Sequence, residues 1–458
     1  MSGFGISFKQ KRSEKILIIH GANDTKKRSE RTRILISQIP MKKQTANISG
    51  LVRTLRKEGD IVLLESQMKG HPSSKKSYLA AHPKAWIKAS GDSIEIWNEG
   101  MHEMKKGNPW DALSAFRKEH QDWLFGYFGY DLKNHIEDLK SENNMLNSAP
   151  DLYFIVPELV IEIDADEQLR AIKGELPENL DSDTLRKDVF VKLKNRISKT
   201  NYIELVNKAK SDIYEGEYYE INLSHPLQFD IEGDSWDLYQ AMKKVGPVPF
   251  GGYANISDIA ICCSSPERFL AREGDRIWSQ PIKGTASRKG EADSSKDIEK
   301  LKGSEKERAE NLMIVDLVRN DLGRVAQRNS VRVSNLFEVQ SFETVHQMVS
   351  TVEAKIEEKV ESIDIIKNCF PMGSMTGAPK IAAMKSIENY ENYRRGIYSG
   401  ALGYIKPNGD FDFNVIIRTA IIEGDKLIYP VGGAITSDSN PEDEWEETLI
   451  KAKAITNI

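Results

Sequence analysis

The sequence predicts an α+β protein, and three observations support this class. Short segments of strand-like pattern, apolar or alternating, are interspersed with segments of helical periodicity. The two kinds follow one another irregularly, whereas a doubly wound parallel sheet would show regular βαβ units. Glycines mark turns between neighbouring strands, as at Gly409 and Gly424, and no internal repeat is visible.

The composition is that of a globular protein with a large core. Hydrophobic residues make up 39% of the 458 residues, and 64 Lys and Arg against 69 Asp and Glu leave a net charge of −5. This slight acidity argues against a general nucleic-acid binder, which has a clustered basic excess. Three cysteines form no disulfide framework, and neither a secretory signal nor an apolar run of membrane-spanning length is visible. We therefore expect a cytoplasmic protein.

The chain divides by pattern into an N-terminal region (1–165), a polar connection (166–200) and a C-terminal region (201–458). The basic block at 26–33 is predicted to be solvated. Helices are predicted at 201–215, 304–322, 363–369 and 440–455. Strands are predicted at 16–19, 61–64, 124–130, 152–163, 219–227, 250–256, 259–263, 395–405, 412–422 and 427–431.

Two predicted helices each carry a pair of carboxylates one turn apart. In the first, Ser304 can cap the helix, and Glu307 and Glu310 share a face. In the last helix, Glu444 and Glu447 share a face in the same way. Such pairs are usually solvated, but two of them on separate helices could hold Mg²⁺, which takes carboxylates together with water or substrate oxygens.

Two glycine-rich turns and an isolated arginine are candidate anion-binding elements. Residues 373–380 and 432–434 could present free backbone N–H groups, or could be tight turns that simply need glycine. Arg418 lies in an apolar segment, where a buried guanidinium needs a carboxylate partner from either the protein or a ligand.

Three further side chains could take part in chemistry. Lys283 lies in a stiff turn between Pro281 and Gly284 and could be a nucleophile if its pKa is lowered, although an ordinary surface lysine is the simpler interpretation. His346 is more typical of a core histidine. Glu267 follows an apolar strand and could form a salt bridge with a nearby arginine.

Taken together, these segments resemble the chorismate-utilising enzymes, which include component I of anthranilate synthase and of aminodeoxychorismate synthase as well as the isochorismate and salicylate synthases. The likeness covers about residues 200–455, more weakly 60–165. It is carried by the motifs at 265–267, 281–285, 308–313, 318–323, 345–346, 376–380, 417–419 and 444–448.

The resemblance implies two large antiparallel sheets packed around a core, with helices outside. It also implies roles for individual residues. Glu310 and Glu447 would bind Mg²⁺, with Glu307 and Glu444 close by, and Glu267 would be the general acid/base for loss of the C4 hydroxyl, with His346 near that hydroxyl. The residues implied to bind substrate are Arg418, Tyr404, Thr376, Gly377, Gly433 and Lys451.

Two positions favour amination of chorismate at C4. Isochorismate and salicylate synthases have a water-activating lysine where Glu220 stands. Anthranilate synthases usually have alanine where Lys283 stands, whereas similar aminodeoxychorismate synthases have a lysine that attacks C2. We therefore expect a covalent lysine intermediate and 4-amino-4-deoxychorismate as product. The alternatives are anthranilate synthase component I, which eliminates pyruvate, and a catalytically silent subunit that binds tryptophan or chorismate.

Two ligands or partners besides chorismate follow from the resemblance. The segment 63–66 matches the tryptophan-binding segment of anthranilate synthases, so Ser66 is a candidate tryptophan contact. No cysteine lies in a glycine-flanked nucleophile turn, so we expect a separate glutamine amidotransferase subunit to supply ammonia.

Overall fold

The computed structural model describes residues 6–11, 14–19, 47–68, 71, 76–181, 188–288, 291–342, 345–357 and 359–458. The chain separates into two compact units, Met1–Lys43 and Gln44–Ile458. In the first unit, strands β1 (Ile6–Lys11) and β2 (Glu14–Ile19) form an antiparallel hairpin, which includes the strand predicted at 16–19. The basic block at 26–33 lies outside the described residues.

Helices and strands alternate irregularly along the second unit. Its α-helices are α1 (Ile48–Leu55), α2 (Pro109–His120), α3 (Lys199–Glu215), α4 (Ser235–Val245), α5 (Glu291–Gly303), α6 (Glu305–Gly323), α7 (Ser362–Cys369), α8 (Lys380–Tyr390), α9 (Pro441–Lys451) and α10 (Lys453–Thr456). Short 3-10 helices occupy Tyr130–His135 and Gly373–Met375.

The strands of the second unit are β3 (Ile61–Glu65), β4 (Ser77–Ser90), β5 (Ser93–Asn98), β6 (Met101–Lys106), β7 (Leu124–Phe128), β8 (Leu152–Ile163), β9 (Leu169–Lys173), β10 (Phe190–Asn195), β11 (Glu220–Glu232), β12 (Phe250–Ile256), β13 (Ile259–Ser265), β14 (Arg268–Glu273), β15 (Arg276–Gln280), β16 (Ile282–Ser287), β17 (Arg332–Ser341), β18 (Val345–Lys355), β19 (Gly377–Ala378), β20 (Ala401–Ile405), β21 (Phe411–Val415), β22 (Thr419–Glu423) and β23 (Lys426–Ile435).

Antiparallel ladders join these strands into one hydrogen-bonded network of 21 strands within the described residues. Neighbouring strands follow the order β10-β11-β23-β22-β13-β12-β3-β4-β8-β7-β20-β21-β14-β15-β18-β17, with the shorter strands paired along it. The α+β class is confirmed, and shared ladders connect the predicted antiparallel sheets.

The core is layered, and strand β8 shows how. Its Ile155 and Val160 belong to a buried cluster formed only by strands and their connections. Its Phe154 and Ile161 face two other clusters, each of which also contains helical residues. Because successive side chains of a strand point to opposite faces, the strands bury one face against each other and the other face beneath helices.

Helix termini largely follow the sequence signals. Ser304 accepts a hydrogen bond from the backbone N–H of Glu307 at 3.3 Å, and Gly216 ends α3 in the left-handed conformation. The predicted cap at Asn201 is wrong, because Ser198 caps α3 and accepts a hydrogen bond from the Asn201 N–H at 3.1 Å. The helix therefore starts at Lys199, two residues before the predicted start.

The strand predicted at 412–422 is two strands. Strand β21 ends at Val415 and β22 begins at Thr419, and Arg418 between them has a positive φ of 51°. A left-handed residue breaks the regular pleat, so the chain bends here. The strand predicted at 395–405 is likewise shorter, because only Ala401–Ile405 is extended.

Within the second unit, strands of the N-terminal region pair with strands of the C-terminal region. Strand β3 pairs with β12, and β7 pairs with β20. The polar segment 166–200 contributes β9, which pairs with β8, and β10, which pairs with β11. Among the described residues, no helix combines the length and the apolar character that crossing a membrane requires.

Candidate active site

Lys283 is buried in an ion pair. It is the second residue of β16, and only 9% of it is exposed. Its Nζ donates a hydrogen bond of 2.6 Å to Oε1 of Glu220, the first residue of β11, which is 1% exposed. The interpretation of Lys283 as a surface lysine is therefore wrong.

The electrostatic surroundings keep the Lys283 amine protonated. Burial alone would lower its pKa, but the negative charges of Glu220, Glu310 and Glu267 outweigh burial and raise it. The lowered pKa that was the condition for a nucleophilic Lys283 is therefore not found. The amine must consequently lose a proton before it can form a bond to carbon.

Glu267 is a buried carboxyl group that can hold a proton near neutral pH. It lies between β13 and β14, and its Oε1 accepts a hydrogen bond of 2.6 Å from the Ser374 hydroxyl. Burial raises its pKa to about 7, against smaller opposing effects of Ser374, Lys283 and Arg418. A carboxyl group with this pKa suits proton donation and acceptance at neutral pH. The predicted salt bridge with a neighbouring arginine is not formed among the described residues.

Helix α6 presents two carboxylates to the same site. Burial raises the pKa of Glu310 to about 7, opposed by Lys283 and assisted by the charges of Glu220 and Glu307. Burial also raises the pKa of Glu307, where Glu447 of α9 adds to the effect and Lys306 opposes it. The two acidic helix faces therefore lie close enough to repel one another.

Helix α9 supplies the second acidic face. Asn440 caps this helix by accepting hydrogen bonds from the N–H groups of Glu442 and Asp443, as predicted for its start. Burial raises the pKa of Glu444, against a hydrogen bond from Ser439, whereas Lys451 lowers the pKa of Glu447. The Lys451 Nζ lies 2.6 Å from Glu447 Oε1 and 2.7 Å from the Gly432 carbonyl oxygen.

The acidic faces fit Mg²⁺ as an open site. Carboxylate oxygens are the ligands that this hard cation prefers. Burial raises the pKa values of Glu307, Glu310 and Glu444, so a bound cation would favour their ionised forms. No three acidic, histidine or cysteine side chains of the described residues converge into a preformed metal site. Water and substrate oxygens would therefore have to complete the coordination.

Three glycines let the backbone approach these acidic groups. A Cβ on Gly433 would lie 3.1 Å from Glu444 Oε2, and one on Gly284 would lie 2.8 Å from Glu307 Oε2. Gly377 has a φ of 146°, and a Cβ there would lie 2.1 Å from the Glu220 carbonyl oxygen. The two glycine turns singled out in the sequence thus pack on either side of β11.

Arg418 approaches the site with an uncompensated charge. No carboxylate of the described residues forms an ion pair with it, although Glu267 and Glu447 act on it electrostatically. Tyr429 also acts on Arg418 electrostatically, and its buried hydroxyl has no hydrogen-bond partner among the described residues. Tyr429 in turn interacts with Tyr398, which is 3% exposed. A guanidinium so placed can receive a ligand carboxylate.

Tyr404 lies elsewhere, which corrects its expected role beside Arg418. It lines a separate cavity of about 460 Å³ together with Ser66, Tyr78, Arg268 and Asp412. Its ring contacts those of Tyr78 and Trp123, with the Tyr78 centroid 5.1 Å away. Tyr398, and not Tyr404, interacts electrostatically with Tyr429, which itself acts on Arg418.

Ser66 is oriented by local hydrogen bonds. Its hydroxyl donates to the Lys76 carbonyl oxygen at 3.0 Å, and its N–H donates to the Ser77 hydroxyl at 2.9 Å. The neighbouring Glu65 carboxylate receives hydrogen bonds from Tyr239 and Lys243. Ser66 and Tyr404 therefore line this separate cavity, called the second cavity below, and do not belong to the group around Lys283.

Thr376 and His346 make internal hydrogen bonds. The Thr376 hydroxyl contacts the carbonyl oxygens of Met372 and Gly373 at 3.2 Å each. His346 is fully buried, and its Nδ1 lies 2.8 Å from the Ser341 hydroxyl. The structure thus brings Lys283, Glu267, Arg418 and the two acidic faces together, while the side chain of Thr376 turns into its own loop.

Several site residues were missed by the sequence analysis. Ser374 lies inside the glycine-rich stretch 373–380, so its proximity to a carboxyl group could have been suspected. For Glu220, the sequence showed only that the water-activating lysine of related enzymes is absent at this position. Nothing in the local sequence indicates an ion pair with a residue 63 positions away. Tyr398 and Tyr429 look like ordinary core tyrosines in the sequence.

A family and several known proteins are similar to the chain. A family described as chorismate binding enzyme matches residues 59–457. An aminodeoxychorismate synthase of Streptomyces griseus is 42% identical over 57% of this chain, which spans only 37% of that protein. Anthranilate synthase component 1 of Aquifex aeolicus is 31% identical, covering 88% of this chain and 90% of that protein. Aminodeoxychorismate synthase component 1 of Escherichia coli is 30% identical, covering 86% and 92%.

The fold defines the same class of protein as solved anthranilate synthase structures. The crystal structure of anthranilate synthase component I from Streptococcus pneumoniae superposes with a TM-score of 0.73 at 26% identity, covering 85% of this chain and 93% of the other. With the family match over most of its length, the chain belongs to the chorismate binding enzyme family and is an enzyme of that family.

Proposed function

We propose that the chain is the component of an aminodeoxychorismate synthase that aminates chorismate at C4 and releases 4-amino-4-deoxychorismate, a precursor of p-aminobenzoate and folate. The observation that carries the proposal is the buried Lys283 amine, 2.6 Å from Glu220, among the charges of Glu267 and Glu310. Burying a lysine costs solvation free energy, and alanine or leucine would fill this position at a lower cost. Packing alone therefore does not explain a lysine here.

The substrate is a dicarboxylate, and two positive charges would bind it, the Arg418 guanidinium and a Mg²⁺ ion held by the acidic faces. Arg418, which has no ion pair with a described residue, would bind the enolpyruvyl carboxylate. Glu310 and Glu447, with Glu307 and Glu444 beside them, would hold Mg²⁺, which when bound supplies positive charge for the ring carboxylate. The backbone N–H groups of Gly377 and Gly433 would assist Arg418 in binding the enolpyruvyl carboxylate.

The chemistry depends on two groups, the Lys283 amine and the Glu267 carboxyl group. The Lys283 amine would form a bond to C2, the double bond would shift, and the C4–O bond would break as Glu267 donates a proton to the departing hydroxyl. A carboxyl group with a pKa near 7 is half protonated at neutral pH, so it can donate and later accept a proton. Ammonia would then add at C4 and displace the lysine from C2.

The direct test is product identification. With chorismate, Mg²⁺ and ammonium chloride, the purified chain should form 4-amino-4-deoxychorismate by mass spectrometry, without pyruvate and without anthranilate fluorescence. Anthranilate with equimolar pyruvate would instead establish the rival function. That rival has a specific basis, because the Aquifex anthranilate synthase component is as similar as the Escherichia coli aminodeoxychorismate synthase component. A chain without any product would be a binding subunit.

Replacing the nucleophile tests the covalent route. Lys283→Ala should lower amination by about 10²-fold or more and abolish a chorismate adduct in the intact mass, because the first bond to C2 can no longer form. Lys426→Ala, which removes an exposed lysine at the first position of β23, should leave both unchanged. An adduct that persists in Lys283→Ala would contradict the assignment of this lysine.

A glutaminase subunit is the proposed source of ammonia. The Aquifex and Escherichia coli relatives are named component 1, which supports a second component. Alone, the chain should use ammonium but not glutamine. Turnover with glutamine by the isolated chain would contradict this partnership.

Tryptophan is a candidate ligand of the second cavity, where Ser66, Glu65 and Tyr404 lie together. If it binds there, isothermal titration should show saturable binding that Ser66→Ala weakens. Unchanged binding by that variant would place any tryptophan site elsewhere.

A further inference from the structure

We propose that Glu220 is a positioning residue for Lys283, which holds the amine in place and takes the proton that the amine must lose before it attacks the substrate. This inference rests on the proposed function, because it concerns the first step of the same reaction. No role follows for Glu220 from the sequence motifs that identify the family.

Contact geometry singles out Glu220 among the acidic groups around the amine. The charged groups that face Lys283 are Glu220 from β11, Glu267 from the connection after β13, Glu307 and Glu310 from α6 and Glu447 from α9. Among the described contacts, only the Glu220 carboxylate accepts a hydrogen bond from Nζ, at 2.6 Å. Proton transfer requires this hydrogen-bond distance.

The other acidic groups have different tasks. Glu267 accepts a hydrogen bond from Ser374 and must carry a proton for the departing hydroxyl, so it cannot also remove one from the amine in the same step. Glu310 lies 3.9 Å from the Lys306 ammonium and belongs to the acidic face of α6. Glu220 is therefore the carboxylate that remains for the lysine.

Glu220 also has a free and fully buried oxygen. Its Oε1 contacts Lys283, whereas its Oε2 is buried without a hydrogen-bond partner among the described residues. This buried oxygen has no competing donor, so it is available to accept a hydrogen bond or a proton. The residue is also rigidly held, because its backbone pairs with Ala378 and its carbonyl oxygen lies against Gly377.

Protons and bonds balance over the cycle. An N–H bond of the Lys283 ammonium breaks and an O–H bond forms on Glu220, after which the amine bonds to C2 and the C4 hydroxyl leaves as water with the proton of Glu267. When ammonia bonds to C4, the C2–N bond breaks and the lysine leaves as a neutral amine. The amine then recovers its proton from Glu220, and Glu267 recovers one from the new C4 ammonium group.

The test compares Glu220→Gln with the wild type in adduct formation and ammonium-driven turnover. The amide cannot take a proton, so kcat and the rate of adduct formation should fall by about 10²–10⁴-fold, while the KM for chorismate stays within about threefold. The loss should shrink as the pH rises from 7 to 9.5, because solvent then removes the proton. A loss through structural damage alone would not be recovered at high pH.

Two further variants keep the test decisive. Asp237→Asn breaks a buried ion pair outside the site, 2.8 Å from Arg53, and should leave kcat unchanged even if it lowers the melting temperature. Glu220→Asp withdraws the carboxylate by one methylene and should lower kcat by about tenfold with unchanged pH dependence.

If Glu220→Gln does not fold, Glu220→Asp decides the question, and a wild-type rate in either variant overturns the inference. A wild-type chain that forms no aminodeoxychorismate overturns the proposed function and the inference together.

Discussion

At the scale of single residues, burial decides what each acidic group in the site can do. Glu267 and Glu310 both have a pKa of about 7, whereas Glu447, held by Lys451, has a lowered pKa. The same side-chain type therefore provides a proton donor at one position and a permanent negative charge at another. None of these differences is visible in the local sequence.

The pH dependence of the reaction should report Glu267. Its raised pKa means that the protonated form, which donates to the hydroxyl, predominates below about pH 7 and is lost above it. We therefore expect kcat/KM of the wild type to decline as the pH rises through about 7. Glu267→Gln should be slower by about 10²-fold or more and lack this decline. A wild-type decline that persists unchanged in Glu267→Gln would assign it to another group.

The sequence located most of the groups in the site but not their contacts. Lys283, Glu267, Arg418 and the four helical glutamates were identified before the structure, because their motifs occur in a fixed order. The Lys283–Glu220 pair, the Ser374–Glu267 hydrogen bond and the place of Tyr404 in a second cavity were not predicted. Pairings between distant segments depend on strand register, which the local pattern does not specify.

At the scale of elements, helices α6 and α9 oppose each other with like charges. Burial raises the pKa of Glu310 from 4.5 to about 7, so folding loses stability as the pH rises through this interval. Glu310→Gln should therefore raise the free energy of unfolding by about 3 kcal/mol at pH 7.5 without Mg²⁺. It should also reduce the stabilisation by Mg²⁺ and raise the Mg²⁺ concentration needed for activity.

A matched control for this prediction is Glu446→Gln. Glu446 is on α9, and its side chain is 61% exposed near Lys199, outside the acidic face. This variant should melt like the wild type with and without Mg²⁺. Equal Mg²⁺ stabilisation of Glu310→Gln and wild type in thermal melting would contradict a metal-binding role for α6.

A buried ion pair between Arg395 and Glu391 connects strand β11 with the glycine-rich loop at 373–380. The guanidinium of Arg395 contacts both oxygens of Glu391 and donates to the carbonyl oxygens of Met375 at 2.7 Å and Asn222 at 2.8 Å. Glu391 also accepts hydrogen bonds of 2.8 Å from the N–H and the hydroxyl of Ser224. Both partners are 1% exposed in their side chains, so the pair fixes β11 relative to the glycine-rich loop.

Removing one partner of this pair should be costly. Arg395→Met leaves the Glu391 charge buried without its partner, so we expect a loss of about 3–5 kcal/mol in the free energy of unfolding. Replacing both, with Arg395→Met and Glu391→Leu, should recover part of this loss. Urea unfolding measures both variants, and a single variant as stable as the wild type would show that the pair does not support the fold.

At the scale of the whole molecule, the N-terminal and C-terminal regions fold together. Strands β12 and β20, from the C-terminal region, each take a neighbour from the N-terminal region, namely β3 and β7. We expect the fragment 201–458 alone to show no cooperative unfolding and no chorismate binding, because these strand edges would be unpaired. The fragment 44–458, which is one compact unit, should unfold cooperatively. Cooperative unfolding of 201–458 would show that the regions are independent.

The sequence by itself determined the fold class, the family and the ends of several helices, because periodicity, capping residues and motif order are local properties. The tertiary structure decided which groups meet. In the structure, the chain bends at Arg418, Lys283 is buried against Glu220, and Tyr404 lines a second cavity. These outcomes depend on antiparallel pairing between segments far apart in the chain, and on the burial that follows from it, neither of which a local pattern contains.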